Sequence, residues 1–221
     1  MLVPLVPVKR LGDAKGRLAP ELGPIERRLL VLAMLEDVLA AVRATPGLAT
    51  AVVVSGDREV WLRAEALGCR VVEEPAGNRD LNDALRLAAA TVAAGQGLLV
   101  VAADLPLAEP AALGRVAAAL AEAPVVVVPS ADGAGTNVLA WRAGPGDPAF
   151  APAFGPGSAA RHLAVPGAAG LDEPSLAADV DTAADLAAVL GRLGAASVSG
   201  RRVRDLKLAE RLGHDETRSG T

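Results

Sequence analysis

Short, unbroken apolar runs alternate along this chain with longer stretches of helical period, and that alternation constrains the fold more than any other feature. Leu98–Ala102 and Val125–Pro129 carry no polar residue. A strand with one solvated face would alternate, so a run apolar at every position is a strand covered on both faces. Leu2–Val8, Ala51–Ser55, Arg70–Glu73 and Gly135–Trp141 read as further strands. Between them, Ile25–Ala44 places Leu29, Leu32, Leu35, Leu39 and Val42 on one stripe. Glu59–Leu67, Leu81–Ala94 and Pro110–Glu122 also read as helices, the last with Pro at its first position. This order predicts an α/β fold: a single domain with a mainly parallel, twisted sheet flanked by helices.

The pattern loosens after Ser130. A Gly/Pro-rich loop, Ala143–Gly157, precedes a short helix expected from Ser158. The final expected helix is Thr182–Leu193, where Thr182 and Asp185 make a capping pair. The expected domain is therefore 1–193. Residues 194–221 are polar and Arg-rich, and read as a mobile tail with one short helix near Arg204–Leu212.

Composition narrows the function classes. A formal net charge of −4 gives no general footprint for nucleic acid. The aromatic set is Trp61, Trp141, Phe150 and Phe154, too sparse for a base-stacking platform. The one cysteine, Cys69, forms neither an internal disulfide nor a multi-cysteine metal site, and reads as a buried residue at a strand start. The apolar start, Met1–Val8, meets Lys9 only afterwards, the reverse of a secretory leader. No apolar stretch reaches membrane-span length. The expectation is a cytoplasmic protein, a monomer or homodimer, with no nucleic-acid or membrane partner.

Ligands of open parallel sheets bind beyond the carboxyl ends of the strands. After the first strand comes Pro7–Leu18. The chain holds three lysines against nineteen arginines, and two of the three, Lys9 and Lys15, lie here. In so Arg-rich a background a retained Lys is informative, because a compact ammonium suits point contact with phosphate. Lys15 and Arg17 are candidates to hold a triphosphate, and Lys9 a weaker one; the alternative is a solvated basic loop. Neither a G-x-G-x-x-G nor a G-x-x-x-x-G-K-[ST] motif follows the strand, which argues against a dinucleotide dehydrogenase and a P-loop NTPase.

Asp104 ends the most apolar strand. Mg²⁺ beside a nucleotide takes one or two carboxylates plus phosphate oxygens, so Asp104 is the first candidate metal ligand. Its rival role as a helix cap fails on distance, since the next helix starts near Pro110. Asp179 and Asp181 alternate across an extended segment, and either one is a candidate second ligand. Gly133–Asn137 and Phe154–Ser158 pair backbone N–H groups with the hydroxyls of Thr136 and Ser158, a cradle for phosphate or carboxylate. Asn82 is placed to read a base edge or ribose, with helix capping by Asp80 the equal alternative at that segment. His162, beside Arg161 and expected to be partly exposed, and His214 are poor catalysts.

Taken in order, PVKRLGDAKGRL, DLNDAL, VAADLPL, GAGTN, FGPGSAARH and DVDT resemble the guanylyltransferases that make the activated precursor of the deazaflavin coenzyme F-420. The resemblance spans about Val3 to Leu190. It implies the nucleotide-diphospho-sugar transferase fold, shared with the molybdenum-cofactor guanylyltransferases. It implies transfer of GMP from GTP to 2-phospho-L-lactate or phosphoenolpyruvate. It also implies Lys15 and Arg17 in the phosphate loop, Asp104 and an Asp of the DVDT segment as Mg²⁺ ligands, and Thr136, Gly155 and Ser158 as contacts to the phosphorylated acid. The wider superfamily carries a Gly-Gly pair after the first strand; here that place reads Val6-Pro7-Val8, as in the narrower family. Two rivals stay open: an enzyme acting on another acceptor, such as molybdopterin or a sugar phosphate, and a GTP-binding regulator without turnover.

Overall fold

The computed structural model describes residues 1–75, 77, 80–142 and 151–213. Seven strands form one sheet: β1 (Leu2–Val8), β2 (Val52–Ser55), β3 (Arg70–Glu73), β4 (Gly97–Val101), β5 (Val125–Pro129), β6 (Thr136–Trp141) and β7 (Ala169–Gly170). Their order is β3-β2-β1-β4-β6-β5-β7. β1 pairs in parallel with β2 and β4, β2 with β3, and β5 with β7. β6 runs against both of its neighbours, β4 and β5.

The all-apolar strands behave as their composition requires. Each splits its side chains between two cores at a period of two. In β4, Leu99 and Val101 face one core, Leu98 and Val100 the other. In β5, Val126 and Val128 part from Val125 and Val127 in the same way. The larger core is closed by α1 (Pro24–Ala44), α2 (Arg58–Ala66), α4 (Pro110–Ala119) and α7 (Ala183–Leu190). On the opposite face α3 (Leu81–Ala89) buries Ala84, Leu85 and Ala88, near the chain around α5 (Ser158–Leu163). A single turn, α6 (Pro174–Ala177), lies before the DVDT segment.

Three helices stop well short of their expected ends, at Ala89, Ala119 and Leu190, and α2 ends one residue early at Ala66. In those three the chain passes into tight i→i+3 turns: Thr91 N to Ala88 O, Glu122 N to Ala119 O, Leu193 N to Leu190 O. Such turns satisfy terminal carbonyls while ending the α-helix.

The expected mobile tail is the main correction. Residues 198–211 form α8 (Val198–Asp205) and α9 (Leu208–Arg211), and bury Val203 and Leu208 in the larger core. Ser197 caps α8, and the Asp37 carboxylate of α1 accepts from Val198 N–H (2.7 Å) and Ser199 N–H (2.8 Å). An anion at those unpaired N–H groups stabilises a helix start. The packing is close enough that a Cβ built on Gly200 would lie 2.3 Å from the Gly194 carbonyl oxygen. Arg211 of α9 reaches Glu26 (2.6 Å) and the Glu21 carbonyl, pinning the chain that leads into α1. His214, the end of the tail and Ala143–Phe150 lie outside the described residues.

Candidate active site

β1 and β4 lie side by side, and their carboxyl ends open on one edge of the sheet. From β1 the sheet extends one way to β2 and the other way to β4, which is where such folds form a ligand crevice. The loop leaving β1 is anchored by four buried residues, Leu11, Ala14, Leu18 and Leu22. Asp57, the N-cap of α2, adds a tether by accepting from Leu11 N–H at 3.0 Å. These anchors hold Lys15 in the left-handed region, at φ 54°. A non-glycine residue pays about 1–2 kcal/mol for that conformation.

The strained backbone sends the Lys15 side chain inward, where it keeps 8% of its exposure. Its Nζ donates to the Asp104 carboxylate and to Asp181 Oδ1 at 2.6 Å. Burial is the largest single influence on Lys15 and favours the neutral amine; the two carboxylates outweigh it, and the pKa rises above the usual lysine range. Burial likewise pushes Asp181 up, but Lys15, Arg17 and Lys9 together bring it below the usual carboxylate range. Lys9 and Arg17 are themselves exposed. The basic loop after β1, Asp104 after β4, and Asp181 before α7 thus form one cluster.

Backbone contacts hold the cluster's shape. Val180 N–H donates to the Asp104 carbonyl at 3.1 Å, docking the DVDT segment against the end of β4. Asp185 accepts from Thr182 N–H (2.7 Å) and Thr182 Oγ1 accepts from Asp185 N–H (3.2 Å), the expected capping pair. Asp181 is left to Lys15. Asp179 meets a different partner: the buried Asn137 amide donates to its Oδ1 at 3.0 Å and to the Leu176 and Ala177 carbonyls. Burial first, and then the charges of Asp104 and Asp181, raise Asp179 above the usual carboxylate range against that hydrogen bond. Sequence reasoning passed over Asn137, although a buried Asn at the start of a strand is itself a signal of local wiring.

β6 carries a second group to the same edge. Because β6 is antiparallel to β4, pairing Val138 with Val101, its first residues stand beside the carboxyl end of β4. Thr136 Oγ1 there lies 3.1 Å from Ser158 Oγ and 3.0 Å from His162 Nδ1. Gly155 and Gly157, at φ 127° and 70°, turn the loop that brings Ser158 to Thr136. His162 is 1% exposed, which corrects the expectation of partial exposure. Its Nε2 accepts from Ala153 N–H at 2.9 Å, and the Phe154 ring packs edge-on at 5.1 Å. Burial, with help from the Arg161 charge, pushes its pKa down to about 4.

Asn82 is bonded within the protein. Its Nδ2 donates to the Phe154 carbonyl (3.2 Å) and its Oδ1 accepts from Phe154 N–H (2.8 Å). Asp80 caps α3 and takes the remaining Nδ2 proton at 3.1 Å. The Asn82 amide thus ties the start of α3 to the 151–157 loop.

Asp104 and Asp181 suit a hard divalent cation, since two carboxylates already converge on one cationic atom, Lys15 Nζ. Among the described residues there is no cluster of three or more His, Cys, Asp or Glu side chains arranged for a metal. Two carboxylates lie within the one or two that Mg²⁺ takes when nucleotide phosphates complete its shell.

Residues 2–208 match the family described as guanylyl transferase CofC like. The chain belongs to that family. A CofC-like guanylyl transferase is an enzyme of the nucleotidyltransferase class, and the match runs through α8 to Leu208, past the Leu190 limit read from sequence. Among relatives, the phosphoenolpyruvate guanylyltransferase of Nocardia farcinica is 44% identical over 209 residues, covering 91% of this chain and 90% of its own. That of Sphaerobacter thermophilus is 40% identical over 204 residues, covering 88% and 96%. In solved structures the fold recurs in a candidate nucleotide-diphospho-sugar transferase from Desulfovibrio desulfuricans, with TM-score 0.70, 15% identity and coverage of 97% and 98%. It recurs again in a nucleotidyl transferase from Methanothermobacter, with TM-score 0.59, 17% identity and coverage of 87% and 97%. No helix among the described residues is long and apolar enough to cross a membrane.

Proposed function

We propose that this CofC-like protein transfers GMP from GTP to phosphoenolpyruvate, with release of pyrophosphate, in the biosynthesis of coenzyme F-420. Support comes from one arrangement above all: Lys15 bridging Asp104 and Asp181 at the crevice edge, in a chain whose relatives are named for this reaction. A phosphate oxygen of the acid attacks the α-phosphorus of GTP; the bond to the β-phosphate bridging oxygen breaks and pyrophosphate leaves. The nucleophile is already ionised at neutral pH, because the second pKa of a phosphomonoester is about 6. No general base is required, in keeping with a buried, neutral His162.

The protein's part is to position and to neutralise. Lys15 and Arg17 hold the triphosphate and offset charge on the departing pyrophosphate, with Lys9 at the rim. Asp104 and Asp181 are the residues that would hold Mg²⁺. Bound there, the ion would neutralise phosphate oxygens and polarise the reacting phosphorus. Asp179, engaged by Asn137, is assigned a supporting role rather than direct ligation. Thr136, Ser158 and the backbone at Gly155 receive the phosphorylated acid. Substrates of this kind, free GTP and a phosphorylated acid, are cytoplasmic, and so is the proposed location.

The test is incubation with GTP, Mg²⁺ and either phosphoenolpyruvate or 2-phospho-L-lactate, with pyrophosphatase added. Mass spectrometry then looks for the GMP-linked acid. Product from phosphoenolpyruvate supports the reading, and product from 2-phospho-L-lactate alone replaces the acceptor. Saturable GTP binding without pyrophosphate release under any acceptor would falsify turnover and leave a binding protein.

A further inference from the structure

Three polar side chains meet beneath the 151–157 loop, and their protons can be counted. Ala153 N–H donates to His162 Nε2, so Nε2 carries a lone pair and no proton. The imidazole is neutral because it is buried. Its one proton therefore sits on Nδ1, which donates to Thr136 Oγ1 at 3.0 Å. The Thr136 and Ser158 hydroxyls bring two protons, and the 3.1 Å bond between them uses one. Thr136 cannot aim its own proton back at Nδ1–H. Whichever way the Thr136–Ser158 bond runs, one hydroxyl proton is left unused within the trio.

We propose that His162 is a positioning residue: by holding the Nδ1–H tautomer it makes the Thr136–Ser158 pair a hydrogen-bond donor to the anionic group of the acceptor acid. This rests on the reading of Thr136 and Ser158 as acceptor contacts. With the opposite tautomer, Nδ1 would take the Thr136 proton. The pair could then satisfy itself internally and turn lone pairs toward an anion. The tautomer is set from outside the site by the Ala153 amide. That segment is stiffened by Arg161, whose guanidinium donates to the Ala153 carbonyl (3.0 Å) and the Pro156 carbonyl (2.6 Å). Asn82, gripping Phe154 from both sides, holds it from α3.

The direct measurement is NMR of the full chain labelled with ¹⁵N-histidine at neutral pH. The chain has two histidines, so a His214→Gln variant assigns the His162 signals. A protonated Nδ1 with a bare Nε2 is expected; the Nε2–H tautomer or an imidazolium overturns the proposal. Kinetics supply the functional arm. Asn at 162 carries an amide N–H near the Nδ1 position, whereas Gln carries it near Nε2. His162→Gln should raise KM for phosphoenolpyruvate by about tenfold, the value of one hydrogen bond to a charged group. His162→Asn should restore most of that loss, and KM for GTP should stay put in both. If neither variant keeps a wild-type melting temperature, the NMR result on the unaltered site decides. Thr136→Val separates the two readings. If it leaves KM for phosphoenolpyruvate unchanged, the acceptor site lies elsewhere and the proposal goes with it. If it raises that KM while His162→Gln does not, only the role of His162 is lost.

Discussion

The two halves of the crevice are held together by opposite means. At the end proposed for the nucleotide, Lys15, Asp104 and Asp181 come from three distant segments and are joined by charge. At the end proposed for the acceptor, Thr136, Ser158 and His162 are neutral, buried, and joined by hydrogen bonds under a glycine turn. The difference matches the proposed work. A triphosphate and a metal would bring large charges to be balanced, and a buried lysine held by two partly exposed carboxylates can exchange partners as they arrive. A small acid needs a fixed donor, which only a buried and fully specified network supplies.

That contrast breaks most sharply at Asp104. Asp104→Asn should lower kcat by about 10²–10³-fold with the melting temperature little changed, the scale seen when one transition-state electrostatic contact is removed. Steady-state kinetics with pyrophosphate detection checks this, and near wild-type turnover would end the metal assignment. Next comes Lys15→Met, which keeps the buried stem and removes the ammonium. It should cut kcat/KM for GTP by about 10²-fold while leaving KM for the acid near its starting value, because the acceptor end does not share that charge.

Acid titration of stability should tell the two halves apart. His162 has its folded pKa lowered to about 4 from the usual histidine value. A base lowered in this way favours the fold fully above about 6.5, and loses that contribution as pH falls toward the folded value. Asp181 is also lowered, but from the carboxylate range, so its contribution is present above about 4 and goes only below that. Melting curves against pH should therefore fall in two stages. His162→Asn should flatten the first, and Asp181→Asn the second. Lys15, raised, holds its share until the alkaline side of the lysine range. The smallest effect is a control outside both halves: Asp37→Ala should remove the carboxylate that accepts from the first two N–H groups of α8 and cost about 1 kcal/mol of stability, read by denaturant unfolding, with KM values unmoved.

How much of this was legible in the sequence follows the same division. β4 and β5 announced themselves because a run apolar at every position has few solutions. Lys15 and Asp104 were legible because each follows such a strand, and because Lys is rare in this chain. The Thr182–Asp185 cap was local, and local geometry can be read from spacing. The Thr136–Ser158–His162 network was not, since burial of His162 beside exposed Arg161 depends on a loop folded over it. Asn82 finds Phe154 at a separation of 72 residues, which no local pattern encodes. α8 was hidden by its own arginines: its buried face amounts to Val203 and two small residues, Ser199 and Gly200, too little to register as a helical period.

Lys15 closes off its own alternatives. Its left-handed backbone would be relieved by Gly, which takes the cation away. Arg keeps the charge and the strain, but offers a planar fork where two carboxylates meet one round ammonium. Asn tolerates the backbone and carries no charge. Conformation and chemistry are thus locked into one residue, and any path to a different residue at 15 has to move the loop, the two aspartates and the cation together.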